Sequence, residues 1–156
     1  MTIAEFRHVS AAQYGADAPA DAIPVDAIPL PRRATVGSAG YDFVCPVDVT
    51  LSPGESVTIP TGIRCEMQPG WVLLLFPRSG LGFKHQLCLA NTVGVIDSDY
   101  SGADNEGHIL VRLVNRGDHG FSIARGERFC QGIFLPHGIA QEDTVADIRH
   151  GGFGST

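Results

Sequence analysis

From Tyr41 onward apolar and polar residues alternate with a period of two, in short runs closed by turn residues. Val47, Val49 and Leu51 alternate with polar neighbours before Ser52-Pro53-Gly54-Glu55. Val57 and Ile59, then Ile63, Cys65 and Met67, repeat the pattern up to Gln68-Pro69-Gly70. Trp71 to Phe76 is apolar throughout, which predicts a strand covered on both faces. Further strands are predicted at Leu87 to Ala90, Val93 to Ile96, His108 to Val114, Phe121 to Ile123 and Phe129 to Leu135. Asn115-Arg116-Gly117-Asp118 and Ala124-Arg125-Gly126-Glu127 are turns between them. Short strands with a turn about every 8–12 residues predict an all-β chain folded as a sandwich, jelly roll or small barrel. No stretch predicts a helix longer than two turns.

The first part of the chain is different. Residues 10 to 35 are rich in Ala, Asp and Pro and carry a small tandem repeat, Asp21-Ala22-Ile23-Pro24-Val25 followed by Asp26-Ala27-Ile28-Pro29-Leu30. Proline at this spacing opposes a helix and favours extended or polyproline-like chain. Residues 10–33 are therefore expected to form a surface arm or insertion on a single domain spanning residues 1–156.

Composition sharpens the picture. The 19 glycines and 10 prolines make up about a fifth of the 156 residues, which agrees with many turns and few long helices. A net charge of −6 disfavours a binder of nucleic-acid backbones, which relies on a basic face, whereas a small phosphorylated ligand needs only a few local cations. Cys45, Cys65, Cys88 and Cys130 stand too far apart for zinc-ribbon or redox spacing and read as reduced apolar residues. No basic leader with an apolar core opens the chain, and Trp71 to Phe76 is too short to span a bilayer. A soluble, cytoplasmic protein is expected, without nucleic-acid or membrane partners.

Three segments carry candidate chemistry. In Arg78-Ser79-Gly80 a guanidinium, a hydroxyl and a backbone free of Cβ follow one another, suited to phosphate oxygens or to an ordinary polar turn. In Asp97-Ser98-Asp99-Tyr100 two carboxylates close an apolar strand, able to share an ion, to divide into a base and an acceptor, or to form an Asx turn. The tail Arg149-His150-Gly151-Gly152-Phe153-Gly154-Ser155-Thr156 combines a cation, glycine amides and hydroxyls with one aromatic ring, which a solvated terminus does not need. The six histidines form no metal-binding helix motif, and residues 104–108 read as a solvated loop.

In order, the chain carries Ala39-Gly40-Tyr41-Asp42, Pro77-Arg78-Ser79-Gly80-Leu81, the run Asn91 to Tyr100, Gly126-Glu127-Arg128-Phe129-Cys130-Gln131, and the Gly-Gly-Phe-Gly-Ser-Thr tail. This series resembles the five motifs of the trimeric dUTP diphosphatases, or dUTPases, over about Leu30 to Thr156. The loop after Tyr100 is similar to the version in Gram-positive bacteria and their phages.

The resemblance implies a jelly-roll-like, distorted β-barrel that assembles as a homotrimer. Residues 144–156 would form a mobile C-terminal lid exchanged between subunits. It implies hydrolysis of dUTP to dUMP and pyrophosphate, with Mg2+ on the triphosphate. Asp97 would be the catalytic base that orients and deprotonates water. Tyr100 would lie against the deoxyribose, while Asn91, Val95, Ile96 and Leu110 line the uracil site, read through the backbone. Arg78, Ser79 and Gly80 would hold phosphates, with Gln131 near the water or phosphates. Asp42 would reach the metal through water. Arg149, Ser155 and Thr156 would clamp the γ-phosphate, and Gly152 with Phe153 would close over the base.

Two other functions are weighed. A dCTP deaminase of related fold would need a catalytic Glu on the strand after the third motif, where this chain reads His108 to Val114 with no acid. A regulatory or interaction protein on the same scaffold is the alternative; retention of Asp97, Tyr100 and the tail argues for catalysis.

Overall fold

The computed structural model describes residues 1–152. In chain order the elements are β1 (Ala4–His8), α1 (Ala11–Asp17), a 3-10 turn at Val25–Ala27, β2 (Arg32–Arg33), β3 (Tyr41–Val44), β4 (Val49–Leu51), β5 (Ser56–Pro60), β6 (Ile63–Met67) and β7 (Trp71–Pro77). They continue as α2 (Ser79–His85), β8 (Leu87–Leu89), β9 (Gly94–Ile96), a 3-10 turn at Tyr100–Gly102, β10 (Leu110–Asn115), β11 (Phe121–Ile123) and β12 (Arg128–Pro136). The fold is mostly β, as the period-two pattern requires. Among the described residues all pairings are antiparallel and fall into four sheets rather than one closed barrel: β1-β6, β5-β10-β8, β11-β4 and the five-stranded β2-β3-β12-β7-β9.

The inward residues of these ladders meet in one core, with Phe43, Phe129, Ile59, Leu73, Leu75 and Leu113 fully buried. On β7 the alternation has a consequence that the uniform run conceals. Leu73 and Leu75 point into the core, while Val72, Leu74 and Phe76 on the other face are only half-buried. Cross-strand partners share a face, so Val95, Ile133 and Leu135 join that outer apolar surface, and Val95 remains 58% exposed.

Several features differ from the expectation. Residues 10–35 are not simply extended: α1 fits between Ser10 and Pro19, before the proline spacing begins. Ser10 caps it by accepting from the Gln13 amide, and the second repeat begins in a 3-10 turn. β1 pairs with β6 in full register, Phe6 opposite Cys65, and its alternation of Ala4, Phe6 and His8 was too short a pattern to stand out. Arg78-Ser79-Gly80 opens the two-turn α2 rather than a turn, and α2 ends at Gln86 in left-handed conformation with Lys84 and His85 in its last turn. Among the described residues no helix is long and apolar enough to cross a membrane.

Candidate functional site

Among the described residues β9 is an edge strand of the five-stranded sheet, paired with β7 alone, so one row of its backbone N–H and C=O groups has no ladder partner there. Beside it opens a pocket of about 620 Å³, floored by Leu75 and Leu89 and bounded by β9, the segment after it and the start of β10. Of the residues singled out in the sequence, Asn91, Val95, Ile96, Asp97, Tyr100, Leu110, Arg149 and Gly152 all line this pocket. Phe153, Ser155 and Thr156 lie outside the described residues.

Tyr100 is buried with its ring on the pocket and its hydroxyl tied behind it. The hydroxyl donates to the His108 carbonyl at 2.9 Å and accepts from Asn105 Nδ2 at 2.9 Å. Burial raises its pKa above the ordinary tyrosine value, so the ring presents a neutral face. The segment expected as a solvated loop is thus partly internal. His108 is fully buried, donating from Nδ1 to Asp17 at 2.6 Å and accepting the Gly62 amide on Nε2 at 2.9 Å. It is held as a neutral imidazole, and burial keeps its pKa below the usual histidine value. Its polar side chains are satisfied by protein partners instead of water: Asp17 and the Gly62 amide for His108, and Ser10 for Glu106.

Arg149 lies over the mouth of the pocket, its guanidinium bridging Asp97 at 2.6 Å and Asp99 at 2.8 Å. The His150 carbonyl accepts the Asp104 amide, and Gly152 passes so close to the Tyr100 ring that a Cβ there would meet it at 2.8 Å. The first part of the tail therefore packs on the same chain's Asp97.

The remaining candidates form a second cluster. Asp42 on β3 is paired to Arg78 at 3.2 Å and to Arg128 at 3.0 Å, and Gln131 on β12 stands opposite Asp42 in register while donating to the Pro77 carbonyl. Ser79 and Gly80 follow on an exposed surface with open space over Gly80. Arg128 was within the fourth motif, yet its pairing with Asp42 is visible only from strand register. Among the described residues no three or more His, Cys, Asp or Glu side chains converge as a metal cage.

β7 separates the two clusters. Leu73 pairs with Ile96, so Asp97 stands at the Val72 end of this strand, whereas Arg78 follows its other end. At about 3.3 Å per residue the two positions are roughly 20 Å apart.

A family model described as dUTPase matches residues 26–156. A deoxyuridine 5'-triphosphate nucleotidohydrolase of Lactococcus lactis subsp. lactis is 45% identical over 132 residues, covering 83% of this chain and 88% of that protein. Among solved structures, a dUTPase from Streptococcus mutans superposes with a TM-score of 0.69 at 36% identity, covering 87% of this chain and 98% of that one. A dUTPase variant from phage phi11 of S. aureus shares the fold at 20% identity and a TM-score of 0.67, over 94% of this chain and 98% of that one, and its structure concerns the coordination of a structural Mg(II) ion.

Proposed function

The chain belongs to the dUTPase family, and from that premise we propose that it hydrolyses dUTP to dUMP and pyrophosphate. The observation that carries the reading is the shared pocket, where the Asp97 carboxylate, the Tyr100 ring and the free edge of β9 face one cavity. Uracil pairs with the unpartnered amides and carbonyls of β9, where a base with a different donor pattern leaves buried polar groups unsatisfied. Deoxyribose lies on Tyr100. Because the Tyr100 hydroxyl is already spent on His108 and Asn105, a ribose 2′-hydroxyl would meet only the ring.

Water held by Asp97 attacks the α-phosphorus, its proton passing to the carboxylate as the new P–O bond forms and the bond to the bridging oxygen breaks, releasing pyrophosphate. Arg78 and Ser79 neutralise the charge that develops on that oxygen. Arg149 exchanges its pairing with Asp97 for the γ-phosphate, which uncovers the base. Magnesium would neutralise the triphosphate charge. Asp42 fits it only through water, since Arg78 and Arg128 engage both its carboxylate oxygens.

Asp97 and Arg78 must act on atoms one bond apart, yet within one chain β7 keeps them roughly 20 Å apart. A homotrimer resolves this: the Asp97 pocket of one subunit meets the Arg78 cluster of the next. The half-exposed outer face of Val72, Leu74, Phe76, Val95, Ile133 and Leu135 supplies an apolar contact surface. The lid of residues 144–156 is proposed to close the completed site. Four free cysteines suit a reducing compartment, the cytoplasm. The test is pyrophosphate release with magnesium from each of dUTP, dCTP, dTTP and UTP: release from dUTP alone is expected, and release from none would overturn the enzymatic reading.

A further inference from the structure

The family match begins at residue 26, yet α1, before that point, is clipped to the pocket loop at two places. That loop, which follows Tyr100, lies behind the pocket instead of lining it. At the start of α1, the Ser10 amide and hydroxyl both donate to the Glu106 carboxylate, at 2.7 and 2.6 Å. At its end, Asp17 accepts from the buried His108 at 2.6 Å and is itself steadied by Gln13 Nε2 one turn earlier, at 2.9 Å. Each clip lands on a residue whose backbone governs Tyr100. Glu106 has a positive φ of 59°, and Gly107 beside it has no room for a Cβ, which would come within 2.7 Å of the Tyr100 carbonyl. The His108 carbonyl is the acceptor of the Tyr100 hydroxyl. Gly62, whose amide donates to His108, sits under Tyr14 and Ile28, so the other side of the imidazole is fixed by the same N-terminal segment.

We propose that α1 is a specificity element: Asp17 and Ser10 are positioning residues that hold the 105–108 loop, and through it the Tyr100 ring, at the depth where the pocket admits deoxyribose and refuses ribose. The chain of contacts has no slack. Loss of the Asp17 carboxylate leaves the His108 Nδ1–H buried without a partner, and the cheapest relief is a shift of the loop, which carries the carbonyl anchoring Tyr100 with it. Loss of Ser10 frees Glu106 from a left-handed conformation that non-glycine residues hold only under constraint. The arm does not touch the substrate; it acts through the ring that does. This assignment rests on the dUTP-hydrolysing reading given above.

The experiment compares wild type with Asp17→Ala, Asp17→Asn, Ser10→Ala and, as a control in the exposed part of the arm, Asp26→Asn. Specificity constants for dUTP and UTP are measured alongside amide hydrogen exchange across residues 100–108. Asp17→Ala should cut the dUTP-to-UTP ratio by about tenfold, as small misplacements of a site do, and should speed exchange in the loop but not in β5 or β10. Asp17→Asn keeps an acceptor and should recover part of the ratio, Ser10→Ala should lower it less, and Asp26→Asn should leave it unchanged. If Asp17→Ala does not fold, Asp17→Asn and Ser10→Ala carry the test. An unchanged ratio in the folded Asp17 and Ser10 variants, with an active wild type, overturns the inference and leaves the activity standing. A wild type that releases pyrophosphate from none of the nucleotides overturns both.

Discussion

Among the described residues Asp97 is the one carboxylate that lines the pocket, and its neighbours define what its removal should do. Paired to Arg149 at 2.6 Å, it can be replaced by Asn with the shape and hydrogen-bond geometry kept and proton acceptance lost. Asp97→Asn is expected to lower turnover roughly 10²–10⁴-fold while binding of a non-hydrolysable dUTP analogue changes little; near-normal turnover would show that another group takes the proton. His108 gives a second prediction at this scale. Burial is the main cause that lowers its pKa, while Asp17 and then Glu106 pull the other way and the Tyr14 ring packs against it. The folded state therefore resists protonation that the unfolded chain accepts near its ordinary value of 6.5. Its contribution to stability is present in full above that value and is lost as pH falls from there through the lowered folded value. Urea midpoints at about pH 7.5 and about pH 5.5 should fall more for wild type than for His108→Gln; equal drops would remove His108 from the account. The buried thiols of Cys45 and Cys65 add no comparable sensitivity, since burial pushes the first up to about 11 and the second to about 12, leaving both protonated at neutral pH.

Elements matter here chiefly where they end. β9 is short and on an edge, which leaves a row of its backbone groups open beside the pocket; β10, central in its sheet, lines the same pocket with Leu110, Val111 and Arg112. Between them the loop from Tyr100 to His108 turns inward instead of running over the surface, at the cost of two consecutive left-handed residues. Gly107 is the hinge of that turn, with a φ of 72° and backbone atoms of Ser101 only 2.6 Å from where a Cβ would stand. Gly107→Ala should cost at least about 1 kcal/mol in stability, measured by urea unfolding, and should blunt the preference for dUTP over UTP because the anchor of Tyr100 moves. A variant as stable and selective as wild type would mean that the loop adapts without disturbing the ring.

For the whole molecule, the position of β7 between the two clusters makes a prediction that no single side chain does. A trimer of 16.6 kDa chains has a mass of about 50 kDa, which light scattering on a size-exclusion column measures. Asp97→Asn and Arg78→Ala, each inactive alone, should regain activity when unfolded and refolded together, because mixed assemblies place an intact Asp97 beside an intact Arg78 of a neighbour. For equal amounts about a quarter of wild-type activity is expected from random mixing around a ring. If both residues served the same site from one chain, no mixed site would be complete and the mixture would stay inactive.

The strands from β4 to β12 and the turns at Asn115 and Ala124 were legible in the amino-acid order, because period-two alternation and turn chemistry are local properties. So were Asp97, Tyr100 and Arg78 as candidates, since their motifs keep fixed spacing along the chain. Hidden from it were α1 and β1, too short for their patterns to outweigh the prolines that follow, and the burial of His108, whose partner Asp17 lies 91 residues away. A solvated polar loop and a buried, internally bonded one have the same composition; only long-range pairing distinguishes them. The separation of Asp97 from Arg78 likewise follows from the register of β7 against β9 and β12, a relation between distant segments that exists only once the sheet has formed.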